Sequence, residues 1–166
     1  MKHILIMIFS ALVLMAEVSA DAKIEAQFLE GMSLHLEDEI SLLDLAIKSS
    51  KNKVILRMAS LMKHDQSKDR NKMTKLKNKK YKNYVEGDLP KIINTDSESL
   101  ALQKLGGREF DHAFLELLAK RHKAAIQASS KLMPGLENKA VHHLAVKIIN
   151  KQGNEIDKLE KLKNSL

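Results

Sequence analysis

Cysteine and tryptophan are absent from the chain, and its 166 residues hold only 2 Pro, 6 Gly and 4% aromatic side chains. Without cysteine there are no disulfides, no thiolate metal sites and no cysteine nucleophile. The scarcity of breakers and aromatics, with Leu, Lys, Ile, Ala and Glu dominant, argues for helices against sheets. The sequence also lacks His-Glu-x-x-His, Gly-x-Ser-x-Gly and any phosphate-cradling glycine loop, so no catalytic activity is expected. What remains is globular in composition, 44% hydrophobic and 30% charged. A chain of this length buries about 68–70% of its extended surface, enough for a core without covalent staples.

Lys2 and His3 precede an apolar run from Ile4 to Met15, followed by Val18-Ser19-Ala20. This order of basic, apolar and small residues is that of a secretory signal peptide. The run is shorter than the roughly 20 residues that span a bilayer. The expectation is a signal peptide over residues 1–20, cleavage after Ala20, and a periplasmic or secreted single domain over 21–166 without a transmembrane anchor.

The rest of the chain repeats itself at an offset of 86 residues. Phe28-Leu29-Glu30 recurs as Phe114-Leu115-Glu116, Asn52-Lys53 as Asn138-Lys139, Gln66 as Gln152, and Lys75-Leu76 as Lys161-Leu162. Many differences keep shape: Met32/Leu118, Met58/Leu144, Met62/Ile148, Asp69/Glu155 and Met73/Leu159. In the first copy an apolar stripe runs Phe28, Met32, His35, Leu36, Leu43, Ile47. After a break at Ser49 to Asn52, a second stripe runs Ile55, Met58, Ala59, Met62, Gln66, Asp69, Met73, Leu76. In the second copy Phe110 to Leu132 is one expected helix, Pro134-Gly135 the turn and Asn138 to about Leu162 the next. One amphipathic hairpin cannot bury its own face, but two packed together can. The expected fold is all-α, a four-helix bundle of two αα-hairpins, about 24–80 and 108–166. Residues 81–107, with Gly87, Pro90, Gly106 and Gly107 as breakers, are expected to form a long crossover that holds a short helix over Asp96 to Leu105 capped by Thr95 or Asp96.

The net charge of +7 is local. Lys63, Lys68, Arg70, Lys72, Lys75, Lys77, Lys79, Lys80 and Lys82 face only Asp65 and Asp69 within the segment 63–82. Such a run is ordinarily a solvated helix end, where cations suit the dipole. The functional alternative is a non-enzymatic interaction module that meets an anionic surface or lipid, with Lys77, Lys79, Lys80 and Lys82 as principal contacts. Nucleic acid is not expected of an exported chain with only Tyr81 and Tyr84 to stack there.

The two copies resemble the exported, ferritin-like proteins of the domain of unknown function 305 family (DUF305). Those carry two αα repeats, each with an F-x-x-x-M-x-x-H-H opening and a Q-x-x-E-x-x-x-M second helix. The first copy offers Phe28, Met32, His35 and Leu36, then Gln66, Asp69 and Met73; the second offers Phe114, Leu118, Arg121 and His122, then Gln152, Glu155 and Leu159. The resemblance covers about Gln27 to Leu162. It implies a four-helix bundle and, as for some members, copper binding through the Met/His positions. Carried over position by position, it implies a soft-metal set of Met32, His35 and Met73, joined by His122 from the other hairpin. Thioether and imidazole donors favour Cu(I) over Zn(II).

Each of these residues also has a plain structural reading. Met32 and His35 serve equally as a gap-filling methionine beside a satisfied core histidine. Gln66 with Asp69, and Gln152 with Glu155, are expected to bond each other, a histidine or Arg121 across the bundle. His64 and the pair His142-His143 read as surface residues. Glu109 and His112 form a single Glu-x-x-His, whereas a carboxylate-bridged di-iron centre needs two.

Overall fold

The computed structural model describes residues 20–82 and 96–166. Residues 1–19 of the expected signal peptide and 83–95 of the expected crossover, Thr95 among them, therefore lie outside the described residues. Five α-helices follow one another: α1 (Ala20–Ser49), α2 (Lys53–Lys80), α3 (Asp96–Leu102), α4 (Gly107–Leu132) and α5 (Lys139–Asn164). The four long ones form the expected four-helix bundle, α1 packing on α2 and α4, and α4 on α5.

Helix boundaries follow local chemistry. Asn52 caps α2, its Oδ1 accepting from Val54 N at 2.9 Å and Ile55 N at 3.4 Å. Its counterpart Asn138 caps α5 in the same way through Ala140 N at 3.0 Å. A 3-10 turn over Met133–Gly135, with Pro134 in its first turn, separates α4 from α5. A side chain at Gly135 would begin 2.8 Å from Ile24 Cδ1, so glycine lets the start of α1 sit against this turn. Two boundaries differ from expectation. Helix α4 starts at Gly107, three residues before Phe110: Gly107 takes φ +57°, which glycine adopts without strain, and so opens the helix instead of breaking it. Helix α3 stops at Leu102, and Lys104 N and Leu105 N turn back to Ala101 O and Leu102 O as tighter single turns.

The repeat acts as a pseudo-twofold that exchanges the ends of the bundle. At one end Leu42, Leu43, Ile55, Ala59, Met62, Phe110, Phe114, Leu118 and Leu159 form one apolar cluster. At the other Phe28, Leu29, Met32, Leu36, Met73, Tyr81, Val141, Ala145 and Ile148 form a second. Repeat-related residues fall at opposite ends: Phe28 with Phe114, Met73 with Leu159, Met62 with Ile148. Burying each large side chain stabilises the fold by about 1.5–3 kcal/mol before entropy is counted. Between the clusters, at mid-height, lies a layer of buried polar side chains.

Candidate metal centre at the polar mid-layer

Glu39, one turn after His35 on α1, is wholly inaccessible to solvent and stands at the centre of this layer. All four long helices reach it. His122 of α4 meets Oε1 through Nδ1 at 2.7 Å. Gln66 of α2 donates to Oε2 at 2.7 Å, and Gln152 of α5 to the same oxygen at 3.3 Å. His35 approaches Oε1 through Nε2 at 3.1 Å, a less aligned contact. On the far side of His122 its Nε2 lies 3.0 Å from Glu155 Oε2, an ion-pair distance that is, like the His35 contact, less well aligned. The His35 Nδ1 atom is buried without a hydrogen-bond partner among the described residues, as are Gln66 Oε1 and Gln152 Oε1.

The electrostatics follow from this geometry. Burial by itself would raise the Glu39 carboxyl, but the charges of His122 and His35, with their hydrogen bonds, outweigh it and hold the group far below the carboxylate range. Burial would likewise lower His122; the Glu39 charge and the bonds to Glu155 and Glu39 push it up instead, to about 9. At neutral pH the layer therefore contains the buried imidazolium of His122 against the carboxylate of Glu39. A buried ion pair is secure only when its remaining valences are bonded, which Gln66 and Gln152 accomplish for Glu39.

The structure brings His35 and His122 together on one carboxylate, and it puts Met32 and Met73 together in the adjacent apolar cluster. Both methionine side chains are fully buried. His64, His142 and His143 are exposed, as expected of surface residues. Gln66 and Gln152 do bond across the bundle, but to Glu39. Asp69 turns outward to Lys147 and, at 3.6 Å, Lys151. Arg121, the repeat counterpart of His35, instead donates to Ser99 Oγ at 2.8 Å and Asp38 O at 3.3 Å, tying α3 to the bundle.

Sequence reasoning passed over Glu39. Its repeat counterpart is Ala125, so the internal symmetry gives no hint of it. Its place one turn after His35, on the same apolar stripe, is the signal that would have found it. Glu25 carries no such signal, and Tyr81 enters the sequence reading only as an aromatic of the basic segment. The Tyr81 hydroxyl donates to Glu25, whose other oxygen accepts from Asn138 N, tying together the start of α1, the end of α2 and the cap of α5.

The basic segment is partly neutralised. Lys77 is paired with Glu30 and Lys63 with Asp44 at 2.6 Å, while Arg70 lies 3.8 Å from Glu37. Lys68, Lys72, Lys75, Lys79, Lys80 and Lys82 are exposed.

Residues 25–163 match the family model described as "Domain of unknown function (DUF305)". No curated protein matches the chain. Among solved structures, a DUF305 fragment from Deinococcus radiodurans is similar at TM-score 0.77 and 19% identity, over 86% of this chain and 97% of that one. A DUF305 protein of Streptomyces coelicolor, described as secreted, is similar at TM-score 0.74 and 19% identity, over 87% and 93%. CopM in its Cu(I)-bound form is similar at TM-score 0.71 and 21% identity, over 85% and 96%. At these identities the likeness speaks for the fold. Among the described residues no helix is long and apolar enough to cross a membrane.

Proposed function

Since this chain belongs to the DUF305 family, we propose that it is an exported, non-enzymatic soft-metal binder that holds Cu(I) through Met32, His35 and Met73, with His122 as a further donor. The observation that supports this reading is the unpartnered, buried Nδ1 of His35, one helical turn from the buried thioether of Met32. An orphaned ring nitrogen is costly to bury and gains a partner when a cation binds. Bound there, the metal would be a guest held by soft donors in a water-poor interior. Met73 belongs to the same cluster as Met32 and supplies the second thioether. His122 contributes only on giving up the proton that Glu39 and Glu155 hold on it. The similarity to CopM, solved with Cu(I), Cu(II) and Ag bound, supports the class of ligand.

The test is a competition titration of Cu(I) against a chromogenic chelator, anaerobically. Met32→Leu and His35→Ala should each weaken binding by tenfold or more, an effect of about 1.4 kcal/mol, while His142→Ala and His143→Ala leave it unchanged. Met32→Leu nearly conserves volume and should cost less than about 1.5 kcal/mol of stability, so lost binding would not reflect unfolding. Absence of Cu(I) uptake by the unaltered protein would refute the reading.

A second reading, an interaction module for anionic surfaces, draws on the exposed lysines. Lys68, Lys72, Lys75, Lys79 and Lys82 recur at steps of four and three, hence on one face of α2 and its end. Retention on anionic vesicles should then fall steeply with salt, since exposed charges are screened beyond about 8 Å at physiological ionic strength. Failure to bind at low salt would leave this face as a solvated one.

A further inference from the structure

Helices α2 and α5 face each other across a seam, and the pseudo-twofold relates its two ends residue by residue. At one end Lys147 pairs with Asp69, and Lys151 lies 3.6 Å from Asp69 and 3.5 Å from Asp65. At the other end the counterpart of Asp69 is Glu155, that of Lys147 is Leu61, and that of Lys151 is Asp65. No lysine is available at those positions to neutralise Glu155, which turns inward to His122 Nε2 at 3.0 Å. This end is an open groove of about 390 Å³, lined by Val54, Met58, Leu61, Met62, Asp65 and Glu155. Val54 and Leu61 leave 58% and 59% of their surface in water.

Met58 and Met62 stand one turn apart on α2, and both line this groove. Their repeat counterparts are the hydrocarbons Leu144 and Ile148. The groove thus combines two adjacent thioethers with two carboxylates, one of them in contact with the buried imidazole of the mid-layer. Thioethers select soft cations, Asp65 and Glu155 offset the charges of Arg57 and Lys158 in the same lining, and the open mouth supplies access that the buried Met32 and Met73 lack.

We propose that the α2/α5 groove is a separate, solvent-accessible acquisition site for a soft monovalent cation of the Cu(I) class. The cation is held by the Met58 and Met62 thioethers with Glu155 opposite, and Glu155 joins the site to His122. The choice of cation rests on the soft-metal reading given above, but the site does not require the buried set to be occupied. Two exposed cations, Arg57 and Lys158, also line the groove and oppose the entry of positive charge.

Ag(I), a redox-inert stand-in, is the probe, added to the full chain carrying methyl-labelled methionine and followed by NMR. Assignments come from single Met→Leu variants, with denaturant midpoints as the control for folding. The Met58 and Met62 methyl resonances should shift with the first equivalent of Ag(I). The Met58→Leu/Met62→Leu double variant should lose one bound equivalent, and Glu155→Gln should weaken that equivalent roughly tenfold. Arg57→Gln/Lys158→Gln should tighten it. Unmoved Met58 and Met62 resonances at saturation overturn the groove site, whatever Met32 and Met73 do. Unmoved Met32 and Met73 resonances, with Met58 and Met62 shifted, overturn the buried site and leave the groove standing.

Discussion

Position for position, the first hairpin carries Met32, His35, Met58, Met62 and Met73 where the second carries Leu118, Arg121, Leu144, Ile148 and Leu159. The scaffold hardly registers the exchange. Both second helices begin at an asparagine cap, and both sets of apolar residues fill equivalent clusters at opposite ends. Methionine and leucine are close enough in volume for packing to accept either. The chemistry differs throughout. His35 faces the central carboxylate, whereas Arg121 donates to Ser99 and so holds α3. Asp69 is absorbed by lysines, whereas Glu155 is left to His122. A duplicated fold can thus keep its packing symmetric while one half concentrates the polarizable donors and the other serves the crossover.

The sharpest way to break this comparison is through Glu39, the residue without a twin. Glu39→Ala leaves a buried imidazolium and two glutamine amides uncompensated. It should lower unfolding free energy by about 3–5 kcal/mol in denaturant titrations, whereas Ala125→Gly should cost only about 1 kcal/mol, the helix-propensity difference. Similar losses at both positions would show that the polar layer is not a special feature of the first hairpin.

Next comes pH. The His122 value is raised in the folded state, from 6.5 to about 9. A raised value means the folded chain holds more protons, so the contribution is complete below about pH 6.5 and is lost as pH climbs through about 9. Glu39 is lowered from 4.5, so its contribution is present above that value and disappears as the solution becomes strongly acidic. Stability should therefore be highest near pH 5–6.5 and decline towards pH 9, with a slope of at most about 1.4 kcal/mol per pH unit for one proton. In His122→Gln that alkaline decline should flatten. A midpoint independent of pH between 6.5 and 9 in the unaltered protein would contradict the ion pair.

The smallest expected difference separates the two caps. Asn52→Ala and Asn138→Ala each remove one capping acceptor and should cost about 1 kcal/mol. Asn138 also contacts the Tyr81 hydroxyl through Nδ2 at 3.3 Å, so its replacement should be slightly the more damaging in thermal unfolding.

Much of the fold was legible because its causes are local. The three- and four-residue spacing from Phe28 to Leu76 announces two helices, Asn52 and Asn138 announce where the second helices start, and the offset of 86 announces two alike hairpins. The glycines misled for an equally local reason: Gly106 and Gly107 read as breakers, yet a positive φ at Gly107 is how α4 begins. The site was legible only in part. His35, His122, Gln66 and Gln152 stood out through motif and repeat, but their common target did not.

What sequence alone determined is therefore the part set by nearest neighbours along the chain: helix content, the stripe that must be buried, the pairing of helices into hairpins and the local excess of positive charge. Tertiary structure decided which polar groups meet. Glu39 gathers Gln66, His122 and Gln152 from 27, 83 and 113 residues away, and no periodicity encodes such encounters. They depend on how two hairpins dock, and the docking is driven by apolar area, which has no direction. Only once that packing has brought the four helices to one height does each buried donor have a single acceptor within reach, and the cost of leaving it unbonded selects the arrangement.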